Sequence, residues 1–388
     1  MKIFVLTTNY PKEKNPQANI FVHEQCKELQ KLGHTLIVLD VYFEPVMQWI
    51  SFKRKQIVKR EFENISVYSL FVRGFATNKL LLFNQSNYII NAKKLYNHVV
   101  LHEDKPDVIY AHFIGCAGVF GCIIGKKENI PVVIAEHGGA VMNPLFSVYI
   151  WMNFLFVKKY AHAIICVSNA QMHCYRRYSN DLSKLHVVQN IVDNSFCYHP
   201  RTKKEQFIFF SSGNLYKVKR MDVLILAFAE AFKGESKCVL RIAGDGGQRK
   251  LLERIIKKYN LSKKVFLLGR LPRERIIQEL INCDVFSLAS EHESFGIAYR
   301  EAIITGRPVV STNNGGILDG WNDSYGYIVS VNDIHALSCS LRKAYDHIDQ
   351  FDVQNNSTVC RLFTSPSIVM PQIEAILFSA AKMTPQTN

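Results

Sequence analysis

Short apolar runs recur along the whole chain, each followed by a polar or glycine-bearing loop and then a segment of good helix formers. Ile3 to Leu6, Leu36 to Leu39, Val108 to His112, Val132 to Glu136 and Ala163 to Val167 stand in the first half. Phe207 to Phe210, Val239 to Ala243, Val265 to Gly269, Val285 to Leu288, Arg307 to Ser311 and Tyr327 to Val329 stand in the second. Runs of this kind read as buried strands, and strands alternating with helices make a parallel sheet covered on both faces. At 388 residues the chain is too long for one ordinary domain and suits two, each with a full core. The expected fold class is therefore α/β, with two doubly wound domains facing a cleft.

Composition narrows the function classes. A hydrophobic content of 48% with 21% charged residues belongs to a globular protein. The formal charge of +14 points to anionic partners: lipid, nucleic acid or phosphorylated substrates. No basic recognition helix or base-stacking motif accompanies it, so no nucleic-acid partner is expected. The ten cysteines show no C-x-x-C and no zinc spacing; several lie in strand patterns and read as buried thiols in a reducing cytosol. Met1 to Pro11 begins as a strand without the apolar stretch and cleavage site of a secretory signal, and no run of about twenty apolar residues exists to span a bilayer.

The segment richest in chemistry is Glu291 to Gly306, EHESFGIAYREAIITG. It reads as a loop leaving the Val285 strand, a helix opening at Phe295-Gly296 and a stop at Gly306 before Pro308. Glu293 lies in the loop and Glu301 eight positions later, which places it two turns into the helix at about 3.6 residues per turn. Both carboxylates then face the mouth of the sheet. The first amides of that helix, unpaired within it and backed by its dipole, offer a seat for a diphosphate. The loop Ser211-Ser212-Gly213-Asn214-Leu215 leads through Lys219 and Arg220 into another helix near Met221. Its glycine admits a ligand close to the backbone, and its cations neutralise phosphate. His112 ends one strand of the first half and His137 follows another, where ligands of open parallel sheets bind.

The E-x7-E spacing within ESFG…EA, closed by Gly306-x-Pro-Val-Val, resembles the signature of glycosyltransferase family 4. The likeness extends over nearly the whole chain, through the opening stretch YP…NIFVHEQCKELQKLGH, the loop from Gly213 to Lys219, Gly244-Asp245-Gly246 and the turn Gln189-Asn190-Ile191-Val192-Asp193. The resemblance implies the GT-B fold: residues 1–200 an acceptor-side domain, 205–365 a donor-binding domain, and a terminal helix over 366–388 packing back on the first. It implies transfer of a sugar from a nucleotide diphosphate donor to a hydroxyl with retained anomeric configuration. Lys219, Glu293 and His112 would serve catalysis. Glu301, Arg220, Asn214, Gly213, Ser294, Phe295, Gly296 and Gly316 would hold the donor. In the family Arg and Lys hold the diphosphate; Lys219 falls at the Lys place and Asn214 at the Arg place, so phosphate duty passes in part to Arg220. Gln17-Ala18-Asn19 stand where paired glycines are common. No resident cofactor is expected, and the absence of D-x-D agrees with metal independence; a uridine diphosphate sugar is expected ahead of a guanosine one. A catalytically silent nucleotide-sugar-binding or partner module is the alternative.

Two stretches bear on location. Val46 to Phe62 mixes Trp49, Ile50, Phe52, Ile57, Val58 and Phe62 with five Lys/Arg, as an interfacial helix on anionic lipid would, or a basic surface helix packed on the sheet. Leu145 to Val157, the most apolar stretch, is too short to cross a bilayer and reads as a buried interdomain helix or a membrane-dipping one. A monomer or weak dimer is expected in the cytoplasm at the inner face of the plasma membrane. There it would act on a lipid-linked saccharide acceptor in bacterial surface polysaccharide assembly.

Overall fold

The computed structural model describes residues 1–13, 15–44, 56–73, 81–142 and 147–382. The chain forms two compact units, Met1–Ile191 with Val369–Asn388, and Val192–Ile368. Residues 192–200, read above as the close of the first domain, go with the second. Phe196 is buried in that unit's core, and Arg361 donates to the carbonyls of Val192 and Phe196.

The first unit is built on an eight-stranded sheet: β1 (Lys2–Thr7), β2 (Thr35–Glu44), β3 (Ile57–Phe62), β4 (Ile65–Arg73), β5 (Val108–His112), β6 (Val132–Glu136), β7 (Ala163–Cys166) and β8 (Leu185–Val187). Their order is β3-β4-β2-β1-β5-β6-β7-β8, and every pairing is parallel except β3 with β4. The core strands are buried throughout, as their unbroken apolar runs require. Apolar clusters fill both faces: Phe4, Leu6, Ile109 and Ile134 meet Phe120 and Phe154 on one. On the other, Ile3, Val5 and Tyr110 meet Val22 and Leu29 of the helix Ile20–Lys31 and Val369, Ile373 and Leu377 of the terminal helix Pro366–Lys382.

β3 corrects a sequence expectation. Residues 57–62 are an edge strand rather than the end of a helix, paired antiparallel with β4 from Ile57↔Leu70 to Phe62↔Ile65. The cause is local: Glu63 and Asn64 both take positive φ, 46° and 65°, which is the two-residue turn that matches the twist of a hairpin. Residues 45–55 of that stretch lie outside the described residues. The apolar stretch 145–157 forms the helix Ser147–Tyr160, with 143–146 outside the description. It is buried on one side only: Ile150, Phe154 and Val157 face the core while Val148, Trp151, Met152 and Leu155 are exposed.

The second unit holds six parallel strands: β9 (Phe207–Ser212), β10 (Cys238–Ala243), β11 (Val265–Gly269), β12 (Val285–Leu288), β13 (Val309–Thr312) and β14 (Gly326–Val329). The order β11-β10-β9-β12-β13-β14 is that of a Rossmann sheet. The direction of winding reverses between β9 and β12, and in the first unit between β1 and β5. At such a switch the loops leaving the two central strands part, and ligands bind in the gap at the carboxyl ends.

Candidate active site

The loops at the second unit's switch point carry the residues singled out above. After β9 the chain runs through Gly213 and Asn214 into a short turn, Lys217–Lys219, and then the helix Met221–Ala231. After β12 it runs through Ser290 to Gly296 and into the helix Ile297–Ile304. Lys219 Nζ lies 2.6 Å from Glu293 Oε1, and Ser290 Oγ donates to the same oxygen at 2.7 Å. The loop backbones also meet, since the Glu291 amide donates to the Val218 carbonyl. The two side chains are 23% and 12% exposed, so the pair is partly withdrawn from water while still open to a ligand.

Glycines set how closely these loops pack. Gly296 caps the Ile297 helix at φ 80°, a conformation costly for other residues. A Cβ on Gly316 would stand 2.4 Å from the Glu293 carbonyl oxygen and 2.6 Å from the Phe295 nitrogen. The carbonyl of Glu293 accepts from the Gly316 amide, and its own amide donates to Asn314, so Glu293 is held by main chain on both sides. Gly244, read as part of a tight turn, has a further role: a Cβ there would lie 1.9 Å from the Gly213 carbonyl oxygen. The Gly244–Gly246 turn thus lets the 213–215 segment lie directly on it, a contact between distant segments that the turn motif did not reveal.

The remaining donor-side residues take distinct places. Glu301 is the fifth residue of an eight-residue helix and half-buried, a little over one turn in rather than two, because the helix begins at Ile297 and not at Phe295. Phe295 is buried against Phe363 and Arg300, so only its main chain remains to meet a ligand. Ser294 is half-buried and Asn214 exposed. Arg220 adopts φ 45° at the start of its helix, with its guanidinium on Asp222, Glu291 and Asn332. Arg300, which sequence reasoning did not single out, is buried and donates to the carbonyls of Gly316, Ile317 and Asp319, tying that loop to the helix.

In the first unit His112 and His137 come together at the carboxyl ends of β5 and β6. His112 Nδ1 lies 3.0 Å from His137 Nε2, and His137 Nδ1 lies 3.0 Å from Asn190 Oδ1. Burial depresses both imidazoles, His112 well below its ordinary range and His137 to about 3, so both are neutral at physiological pH. Phe113, next in the chain, takes φ 72° and ψ 133°, a strained conformation for a residue with a side chain. Glu136, the last residue of β6, accepts from the amide of Ile114 at 2.7 Å and from that of Gly138, holding the loops that follow both histidines. Its burial raises the carboxyl to about 7.

Two family profiles match the chain, one described as Glycosyltransferase Family 4 over residues 18–196 and one as Glycosyl transferases group 1 over residues 199–350. Among curated proteins, TuaC of Bacillus subtilis strain 168, a glycosyltransferase assigned to teichuronic acid biosynthesis, is 26% identical over 365 residues, covering 89% of this chain and 90% of that one. The UDP-Gal:alpha-D-GlcNAc-diphosphoundecaprenol alpha-1,3-galactosyltransferase of Escherichia coli is 28% identical over 309 residues, covering 72% and 76%. Among solved structures, the sucrose-phosphate synthase of Thermosynechococcus elongatus superposes with a TM-score of 0.81 at 15% identity over 98% of this chain and 99% of that one. That likeness makes the fold GT-B.

Proposed function

The chain belongs to glycosyltransferase family 4, and from that premise we propose that it moves a sugar from a nucleotide diphosphate donor, a UDP-sugar ahead of a GDP-sugar, to a saccharide hydroxyl with retention. The observation that carries this reading is the Lys219–Glu293 pair at the switch point of the second sheet, 2.6 Å apart. Breaking the anomeric C–O bond leaves positive charge on the sugar and negative charge on the diphosphate, so the leaving group needs a fixed cation and fixed dipoles. Lys219 supplies the cation without a metal. The amides opening the Ile297 helix supply dipoles, with Gly213, Gly296 and Gly316 letting phosphate approach the backbone. Glu293 holds the sugar, Glu301 accepts from ribose hydroxyls, and His112 offers its buried Nε2 to a saccharide hydroxyl. As the acceptor oxygen bonds to the anomeric carbon, its proton passes to the departing phosphate oxygen.

The relatives favour a role in bacterial surface polysaccharide. The Bacillus protein is assigned to teichuronic acid, and the Escherichia protein uses UDP-Gal and a lipid diphosphate acceptor. A lipid-linked acceptor agrees with one face of the first unit. Leu82 and Phe83, near the start of the helix Leu81–Val99, are exposed, as are Val148, Trp151, Met152 and Leu155 in the helix Ser147–Tyr160. The two helices touch through a Gln85–Asn153 hydrogen bond of 2.9 Å. Both carry exposed lysines further along, Lys93, Lys94 and Lys159, so apolar tips are followed by cations, as suits peripheral contact with an anionic bilayer. No described helix is long and apolar enough to cross a membrane.

The test is a panel of nucleotide sugars, read first by thermal shift and then by turnover on lipid-linked saccharides, for the wild type and Glu293→Gln. A donor that raises the melting temperature and is turned over, with turnover falling at least about a hundredfold in the variant, supports the reading. Binding without turnover by the wild type would instead favour the silent module, which the Asn214 and Gln17-Ala18-Asn19 departures keep in view.

A further inference from the structure

His112, His137 and Asn190 form a hydrogen-bonded line in which the directions can be assigned. The two imidazole planes differ by only 18°, and their centroids are 5.2 Å apart. That separation is the 3.0 Å nitrogen–nitrogen distance plus one ring radius at each end, so the rings lie edge to edge in nearly one plane and share an in-line N–H···N bond. Aromatic neighbours pack against both rings: the Tyr110 ring lies 4.5 Å from His112, and the Phe21 ring lies 4.5 Å from His137, centroid to centroid. Two neutral imidazoles carry one N–H each. Asn190 Oδ1 accepts from His137 Nδ1–H, which leaves His137 Nε2 bare to accept from His112 Nδ1–H. The line ends at His112 Nε2, which is buried and has no hydrogen-bond partner among the described residues. A second consideration gives the same direction, since a buried acceptor left without a donor is tolerated more often than an orphaned buried N–H.

We propose that His137 and Asn190 are positioning residues that hold His112 in the tautomer whose Nε2 is a bare acceptor for a hydroxyl of the bound saccharide. The far end of the line is an amide oxygen. A carboxylate there would stabilise an imidazolium and make His112 a base, whereas an amide orients the ring without inviting a charge. The carboxyl of Glu136, one residue from His137, is turned away to the Ile114 and Gly138 amides. His112 therefore selects a hydroxyl by accepting its hydrogen bond and carries no proton through the reaction. This rests on the reading that His112 meets a saccharide, but the proton placement can be measured with no substrate present.

The experiment is nitrogen-15 NMR of the full-length protein labelled at histidine, at neutral pH, with His112→Gln and His137→Gln used to assign the signals. The expected spectrum has His112 Nδ1 protonated, His112 Nε2 bare, and a scalar coupling across the hydrogen bond from His112 Nδ1 to His137 Nε2. A protonated His112 Nε2, or no coupling, overturns the proposal whether or not any donor is turned over. Asn190→Leu should give mixed His112 tautomers and about a tenfold lower kcat/KM with the donor identified by the panel. Loss of kcat/KM in Asn190→Leu with the wild-type tautomer intact would also overturn it, since Asn190 would then act only through the fold.

Discussion

Glu136→Gln tests the buried carboxyl beside the histidines. Glu136 ends an apolar strand, and burial raises its pKa from an ordinary 4.5 to about 7, opposed by the amides of Ile114 and Gly138. The sign follows from proton counting. Between these two values the folded chain holds a proton that the unfolded chain has released, so stability falls as pH rises. The contribution is fully present below about pH 4.5 and is lost above pH 7. At roughly 1.4 kcal/mol per pH unit the whole span is worth about 3 kcal/mol. Glutamine cannot titrate, but it offers one acceptor oxygen to two amide donors, so the variant carries a penalty that does not change with pH. The measurement is the urea unfolding transition of the first unit in both proteins at pH 4.5 and pH 8. The variant's disadvantage should shrink by about 3 kcal/mol at the higher pH. Equal differences at the two pH values would refute the raised pKa and, with it, a neutral Glu136 carboxyl below pH 7.

Other substitutions examine the remaining supports. Gly316→Ala sets a methyl 2.4 Å from the Glu293 carbonyl oxygen, so the 293–295 loop must move; donor affinity by calorimetry should drop about tenfold or more while the protein stays folded. Arg300→Met leaves the carbonyls of Gly316, Ile317 and Asp319 without their donor. At about 2–4 kcal/mol this should lower the melting temperature of the second unit by roughly 5–10 °C, read by calorimetry. Trp151→Ser with Leu155→Ser removes two exposed apolar groups and should reduce flotation with phosphatidylglycerol vesicles by about tenfold without altering donor binding. Unchanged flotation would rule this face out as the lipid contact.

What could be read from residues alone divides along a physical line. Features encoded within one segment were legible: the parallel strands from their apolar runs, Glu293 and Lys219 from their loops beside helix starts, and the two histidines from their places at strand ends. Features made by distant segments meeting were not. Gly244 reads as a turn until the Gly213 carbonyl is found lying against it, and Asn190 reads as part of a turn until His137 reaches it. The stretch around Ile57 was misread because basic and aromatic residues fit either an interfacial helix or a hairpin. Only Glu63 and Asn64, both in the left-handed region, decide for the hairpin. β4 and the helix Leu81–Val99 were not read at all. Glu136 did leave a signal, an acid directly closing a wholly apolar strand, which is the pattern of a carboxyl held by main-chain amides.

The charges at the donor site say which atoms must recognise a phosphate. Lys219 is paired with Glu293, and Arg220 is held by Asp222 and Glu291, while Lys217 on the same turn is exposed. The two ion-paired cations therefore give a diphosphate less attraction at close range than free ones would. The chain's overall charge of +14 acts mainly beyond these contacts, where salt screens it within about 10 Å. Main-chain amides add to the close attraction. That is consistent with glycine at 213, 296 and 316, where a side chain would keep phosphate away from the backbone or crowd the loop. With Arg220 already committed to carboxylates, Lys219 follows the leaving group, and Glu293 is the group that must release it.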